Sequence, residues 1–401
     1  MVVAKTQSRP CSLAGQITDV WLTWAVNLGP ESTDGSIGLV LPDYSGACVS
    51  NIVPTLLAGM PSAPPWFPAA AFDARQVVLL VLDGLGWDQL ATRHDVAPHL
   101  ASMAGSAITT VCPTTTATAL TSIATGLPPG EHGVVGYRIR TDGSVLNALR
   151  WQLDSDGDAR SIVLPEDFQP HEPFLGHPAS VITKSEFAPT GFTRAHLRGG
   201  VWAPWSTPSG IAAEVGRRLS AGDDLVYAYY DGIDHVSHLH GLGEHFDEEL
   251  SHADSLVARV ANQLVDGAAL LVTADHGQVH VGDDVRRLPR SVLDLTASLS
   301  GEGRFRWLHA KPGAEKELLD SARQAFGEVA WVVDVDTVVD DRWFGPVVTS
   351  DARQRLGDVA IVPFEPVAIH DPADTGNITL IGRHGSMTSA EVLVPLLVAT
   401  S

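Results

Sequence analysis

Three runs of aliphatic and aromatic residues, each broken off by an acidic motif, constrain this chain more tightly than any other feature. Val77-Val-Leu-Leu-Val-Leu82 stops at Asp83-Gly84, Leu225-Val-Tyr-Ala-Tyr-Tyr230 runs into Asp231 and Asp234, and Ala268-Ala-Leu-Leu-Val-Thr273 runs into Asp275-His276. None of the runs alternates apolar with polar residues, so neither face of the strand can be left to water. Helix-period patterns at 211–219 and 245–264 lie between them, and a fourth run, Val392-Leu-Val-Pro-Leu-Leu-Val398, closes the chain. Buried strands alternating with helices predict an α/β fold with a mostly parallel sheet sandwiched by helices. Ligands of such sheets bind beyond the carboxyl ends of the strands, where Asp83, Asp234 and Asp275 are expected.

Two long segments interrupt the alternation. Residues 138–222 are irregular and rich in Pro, Gly and Trp, which predicts a cap over the strand ends. Residues 304–375 place strand-like stretches at 329–335 and 359–363 around a helical pattern at 314–326, a small α+β insertion. Residues 1–74 end in Pro61-Ser-Ala-Pro-Pro-Trp-Phe-Pro68 and read as a lead-in packed on a catalytic domain that spans 75–401.

Charge narrows the partners. With 26 basic against 47 acidic residues and a formal charge of −21, the chain lacks the Lys/Arg footprint that duplex nucleic acid requires. A phosphate handled here must be held by something else, and bound metal ions are the natural candidate. Cys11, Cys48 and Cys112 form no Cys-x-x-Cys and cannot all pair, so a reducing compartment is expected. The N-terminus lacks a sustained apolar run after a basic start, and no stretch reaches eighteen uninterrupted apolar residues. A cytoplasmic protein with no membrane span is the expectation.

Potential ligands for metal cluster around those strand ends. Asp275 and His276 are consecutive, which demands a turn if both are to reach inward, and Gly277 follows. Asp234 and His238 are four apart, within reach from one helical turn, although Asp231 and His235 share that spacing. His384 precedes Gly385. Among Thr114, Thr115, Thr116 and Thr118, one hydroxyl at a helix N-terminus would face free backbone N–H groups suited to phosphate. No dinucleotide fingerprint, Walker-type loop or Gly-x-Ser-x-Gly is present.

Taken in order, Val-Leu-Asp83-Gly, Pro-Thr-Thr-Thr116, Asp234-His-Val-Ser-His238, Thr-Ala-Asp275-His276-Gly and Arg-His384-Gly-Ser resemble the nucleotide pyrophosphatase/phosphodiesterase branch of the alkaline phosphatase superfamily. The resemblance runs from about Val77 to the C-terminus and implies an alkaline-phosphatase-like sheet with cap insertions. It implies two Zn²⁺, with Mn²⁺ as an alternative: Asp83, Thr116, Asp275 and His276 around one ion, Asp234, His238 and His384 around the other. The register of Thr-Gly126-Leu and His132-Gly133 selects Thr116 as nucleophile, and His240-Gly241 selects Asp234 and His238 over Asp231 and His235. The implied activity is hydrolysis of phosphate diester or pyrophosphate bonds in a small-molecule ester through a phospho-threonine. The alternatives are a phosphomonoesterase or phosphonate hydrolase of the same superfamily, and a phosphate-binding protein without catalysis. A sulfatase is disfavoured because Pro113 follows Cys112 directly.

The chain departs from the family pattern at two places. Ala117-Thr-Ala-Leu120 replaces the usual Phe-Pro-Asn-His, which makes the wall beside the nucleophile smaller and less polar. Tyr137 stands twenty-one residues past Thr116, where the family's diesterases carry an Asn that binds a phosphoryl oxygen. A phenol can donate one hydrogen bond there, so Tyr137 is the candidate substrate-binding residue.

Overall fold

A computed structural model describes residues 38–154, 157–374 and 379–401. The first half of the lead-in, residues 1–37 with Cys11, lies outside the described residues.

The three aliphatic runs form adjacent strands of one sheet. In chain order the strands are β1 (Gln76–Leu82), β2 (Ala104–Thr109), β3 (Ser180–Ile182), β4 (Val201–Trp202), β5 (Leu225–Tyr230), β6 (Ala268–Thr273) and, last in the chain, β11 (Leu393–Thr400). Their spatial order is β2-β11-β6-β1-β5-β3-β4. β1 pairs in parallel with β6 and β5, and β5 with β3, while β11 is antiparallel to both β6 and β2. The lack of alternation has the expected cause, since Val77 to Leu82 are all buried, five of them completely. Each such side chain contributes about 1.5–3 kcal/mol on leaving water, against about 1–2 kcal/mol for fixing its backbone. A charge placed mid-strand would lose the first term and add desolvation.

Because β11 runs opposite to its neighbours, its start lies at the same edge as the carboxyl ends of β1, β5 and β6. His384 precedes that start, and Thr116 follows the end of β2. Antiparallel pairing of one strand therefore gathers distant sequence motifs at a single edge.

Helix α3 (Ser209–Ala221) covers the period expected at 211–219, and α5 (Glu244–Ala261) covers that at 245–264 except its last three residues. The later insertion starts before the expected residue 304, as a four-stranded sheet of β7 (Thr296–Glu302), β8 (Phe305–Ala310), β9 (Ala330–Asp334) and β10 (Val359–Pro363), ordered β7-β8-β10-β9. Helix α6 (Glu315–Phe326) lays Leu318, Ala322 and Phe326 on it, closing a small core with Leu308 and Ile361.

Residues 138–222 differ from the irregular cap read in the sequence. They begin with a small antiparallel sheet and then contribute β3 and β4 to the main sheet. These strands are two or three residues long, too short to leave a period in the sequence. Between them runs helix α2 (Gly191–Leu197), fixed by Trp151. That indole is fully buried and donates to the Val163 carbonyl at 2.8 Å. A Cβ on Gly191 would come within 2.2 Å of the indole, so only glycine can start α2 there.

Candidate metal centre and active site

Thr116 is the first residue of α1 (Thr116–Thr125), preceded by Thr115 in extended conformation at φ −135° and ψ 143°. The helix stops at Gly126, whose φ of 72° suits a residue without Cβ. Thr116 is buried, and its Oγ1 lies 3.1 Å from His276 Nε2. Of the four candidate threonines it alone has a hydroxyl bonded to one of the predicted ligands. Thr114 instead donates to the Ser386 carbonyl at 2.9 Å, and the Thr118 hydroxyl is buried without a partner.

The predicted ligands form two groups. Asp83, Asp275 and His276 bring one donor atom each within 4.8 Å of one another, and so do Asp234, His238 and His384. Asp234 and His238 sit one turn apart on α4 (Gly232–His240). The competing pair is not assembled: Asp231 accepts from Lys184 Nζ at 2.5 Å, and His235 lines a neighbouring cavity.

Local geometry fixes which atoms face inward. His238 Nδ1 donates to the Gly382 carbonyl at 2.8 Å, His276 Nδ1 to that of Gly277 at 3.0 Å, and His384 Nδ1 to that of Thr114 at 2.8 Å. Each ring therefore keeps Nε2 as its lone-pair nitrogen, the tautomer a metal requires. Asp83 Oδ1 and Asp275 Oδ2 are buried without any hydrogen-bond partner. His276 Nε2 stands 3.4 Å and 3.5 Å from these two oxygens, so three lone-pair atoms converge. Asp234 Oδ1 accepts from Gln278 Nε2 at 2.5 Å and lies 3.3 Å from His238 Nε2.

Such a set is unfavourable without a cation. Burial raises the Asp83 carboxyl well above its ordinary range, reinforced by the charges of Asp275 and Asp234, and burial likewise raises Asp275. Burial holds His384 well below its ordinary value, helped by His276 and His238. A divalent ion in each group would satisfy the orphaned oxygens and reverse the repulsion. Oxygen and imidazole donors without thiolate suit Zn²⁺ or Mn²⁺. The residues fit the ions.

Several supporting residues carried no sequence signal. The Tyr229 hydroxyl donates to Asp83 Oδ2, and Thr110 Oγ1 donates to the Asp275 carbonyl. Arg304 is fully buried and places Nε and Nη2 on the Glu391 carboxylate at 2.7 and 2.8 Å, while Glu391 Oε1 accepts from Ser386 N at 3.0 Å. The insertion thus clamps the loop that carries His384. Gly277 has a different role from the backbone freedom expected of it: a Cβ there would meet the Ala390 carbonyl at 2.0 Å. Gly385, at φ 129°, does supply that freedom.

Beside Thr116 lies a cavity of about 230 Å³, whose lining includes Asp83, Asp234, Leu120, Phe187, Phe192 and His196. Tyr137 is not part of this lining. Its hydroxyl accepts from Asn147 Nδ2 at 2.7 Å. Arg138 is held by Asp371 at 3.1 Å and Arg140 by His309 at 3.1 Å, so neither is a free phosphate clamp.

Comparison with known proteins places this arrangement. A family model described as type I phosphodiesterase/nucleotide pyrophosphatase matches residues 77–387. Murine ectonucleotide pyrophosphatase/phosphodiesterase 5 superposes with a TM-score of 0.62 at 18% identity, covering 81% of this chain and 88% of that one. The human counterpart gives 0.61 at 18% identity over the same shares. Phosphonoacetate hydrolase from Sinorhizobium meliloti 1021, in complex with phosphonoformate, gives 0.60 at 17%, covering 81% of this chain and 90% of that one. At these identities the likeness is one of fold. No curated protein sequence matches significantly. Among the described residues no helix is long and apolar enough to cross a membrane. The chain belongs to the type I phosphodiesterase/nucleotide pyrophosphatase family, a phosphoester-hydrolysing branch of the alkaline phosphatase superfamily.

Proposed function

We propose that this protein hydrolyses phosphate diester or pyrophosphate bonds of a small molecule through a phospho-threonine at Thr116, with two divalent ions, Zn²⁺ or Mn²⁺. One ion would be held by Asp83, Asp275 and His276 together with the Thr116 hydroxyl, the other by Asp234, His238 and His384. The observation that carries the reading is the common orientation of the three imidazoles, each with Nδ1 spent on a backbone carbonyl and Nε2 turned toward carboxylate oxygens. The ions supply Lewis acidity, lowering the pKa of a bound hydroxyl and neutralising non-bridging oxygens.

Thr116 gives up its proton to solvent water and Oγ1 forms the bond to phosphorus as the bond to the leaving oxygen breaks, the departing oxygen taking a proton from solvent in turn. Water then attacks the phospho-threonine, releasing the phosphoryl product and restoring the hydroxyl. The position of Thr116 at the start of α1 points backbone N–H groups at the phosphoryl oxygens. Two dications against three carboxylates leave +1 before the Thr116 alkoxide forms and zero after it, a small balance that suits a monoanionic diester better than a dianionic monoester. Arg138 and Arg140 are both engaged elsewhere, so neither is free to meet the extra charge of a monoester. Tyr137 lies outside the cavity lining; its oxygen accepts from Asn147, which leaves its proton available, and a hydrogen bond to a non-bridging phosphoryl oxygen is the role that its place twenty-one residues after Thr116 suggests.

Structural likeness to a phosphonoacetate hydrolase motivates phosphonate cleavage as the second reading. Metal-loaded protein assayed on bis(p-nitrophenyl) phosphate, p-nitrophenyl phosphate and phosphonoacetate separates the two. The diester should be turned over at least about tenfold faster than the others. Preference for phosphonoacetate or the monoester would sink the diesterase reading.

A further inference from the structure

The cavity beside Thr116 shows which organic group the site is built to take. No Lys or Arg lines it, and apart from Asp83 and Asp234 its acidic member is Asp231, whose Oδ2 accepts from Lys184 at 2.5 Å while its Oδ1 is buried without a partner. Leu120, Leu149, Phe187, Phe192 and Leu197 make its walls apolar. An anionic substituent placed there would face Asp83, Asp231 and Asp234 with no Lys or Arg in the lining, the Tyr227 hydroxyl being the one buried lining hydroxyl without a partner among the described residues, so an uncharged group is favoured. At about 230 Å³ the space falls below the roughly 300–1,000 Å³ of pockets for drug-sized ligands, so a compact group is favoured.

His196 adds a polar requirement. It is 3% exposed and lies on α2, with Nδ1 donating to the Phe192 carbonyl at 2.7 Å. The ring stacks on Phe192 with centroids 3.9 Å apart and planes 22° from parallel, which fixes its orientation. With the proton on Nδ1, Nε2 is an acceptor, and it has no hydrogen-bond partner among the described residues. Burial lowers the imidazole to about 4, so it is neutral at pH 7 and cannot donate from Nε2. His196 lines the cavity, and a ligand that displaces water from Nε2 without bringing a matching donor leaves that acceptor unpaired, which discriminates against it.

We propose that the group esterified to phosphorus in the substrate of this protein is a compact, uncharged, mainly apolar group carrying one hydrogen-bond donor, a hydroxyl or N–H, that bonds His196 Nε2. This inference rests on the phosphodiesterase reading and assigns His196 as its specificity-determining residue.

The test is a set of p-nitrophenyl phosphate diesters whose second group is phenyl, each of the three hydroxyphenyl isomers, or carboxyphenyl, compared by kcat/KM on metal-loaded protein. The best hydroxyphenyl ester should exceed the phenyl ester by about tenfold, and the carboxyphenyl ester should fall about tenfold below it. His196→Leu should bring the hydroxyl preference close to one, whereas His196→Gln, which keeps an acceptor, should retain part of it. Equal rates for phenyl and hydroxyphenyl esters in the natural protein, a carboxyphenyl ester as good as either, or a preference that survives His196→Leu would overturn the proposal. The natural protein alone decides the first two points, so a variant that misfolds does not protect the idea. If no diester releases nitrophenolate, the hydrolase reading fails instead. Calorimetric binding of phenyl and hydroxyphenyl phosphate to the metal-loaded protein would then judge the cavity separately, equal affinities counting against the inference and an approximately tenfold hydroxyl preference for it.

Discussion

His384 Nδ1 donates to the main-chain carbonyl of Thr114, 2.8 Å away and two residues before the proposed nucleophile. Thr114 returns the connection three times, its N–H donating to the Gly385 carbonyl at 3.3 Å, its Oγ1 accepting from Gly385 N at 2.9 Å and its hydroxyl donating to the Ser386 carbonyl at 2.9 Å. The proposed metal ligand His384 and the proposed nucleophile Thr116 are therefore held as one unit, and a shift of either segment moves both. Thr114→Val keeps the carbonyl and most of the volume but removes both hydroxyl bonds. It should weaken metal binding at the His384 group by about tenfold to a hundredfold, as outer partners of ligands commonly do. Two-site metal titration by calorimetry measures this, and an affinity equal to the natural protein's would show the loop to be held by other contacts.

Metal stoichiometry tests the ligand assignment directly. Elemental analysis of metal-replete protein should find close to two divalent ions per chain, one for each group of converging donors. His238→Ala should lose one ion, while His235→Ala should keep both, because His235 belongs to neither group. The reverse pattern would transfer the second site to Asp231 and His235.

Covalent catalysis makes a sharper demand. Thr116→Ala should lower turnover by at least about two orders of magnitude, and Thr116→Ser should keep a measurable part because a hydroxyl remains. Mass spectrometry of acid-quenched turnover should find the phosphoryl group on Thr116. An adduct on Thr114, or near-normal rates in the alanine variant, would falsify the assignment.

Residue type and order made the metal groups legible because strong rules act there. Continuous apolar runs mark buried parallel strands, and aspartates at their ends mark the ligand-binding edge. Thr116, Asp234 and His238 were singled out by the family register. Geometry adds a hydroxyl contact to His276 for the first and a shared helix face for the other two. The cavity was illegible for equally physical reasons. Its walls come from α1, β5, α2, α4, Leu149 and the loop after β3, and β3 is only three residues long. Phe187, Phe192 and His196 meet by tertiary packing, which leaves no local period to read. Arg304 and Glu391 are likewise eighty-seven residues apart, and nothing near either one announces a buried ion pair.

Tyr137 supplies a test of the phosphoryl side. Burial raises its pKa, so the phenol keeps its proton at neutral pH, and Asn147 occupies its oxygen as a donor. If the remaining proton goes to a non-bridging oxygen of the diester, Tyr137→Phe should cut diester kcat/KM about tenfold, in line with ~1.5 kcal/mol for a hydrogen bond to a charged group. Monoester turnover should begin low and change less. Diester rates unchanged within about twofold would reassign the phenol to packing against Asn147.

Acid lability should trace partly to His132, at the turn after α1. Its Nδ1 accepts from Val134 N at 3.1 Å, which leaves Nε2–H to donate to Ser122 Oγ at 2.8 Å, so both nitrogens are used in the neutral form. Burial lowers it to about 3, with His171 and Arg355 adding to the effect, whereas an unfolded imidazole titrates near 6.5. A depressed value gives stability that is present above pH ~6.5 and is lost progressively as pH falls toward ~3, because only the unfolded chain takes up the proton. In chelator, where metal release plays no part, unfolding free energy between pH 6 and 4 should fall more steeply for the natural protein than for His132→Gln. The difference should approach one proton, about 1.4 kcal/mol per pH unit. Parallel slopes in denaturant titrations across that range would mean that His132 is already protonated in the folded chain, which its acceptor bond from Val134 N does not allow.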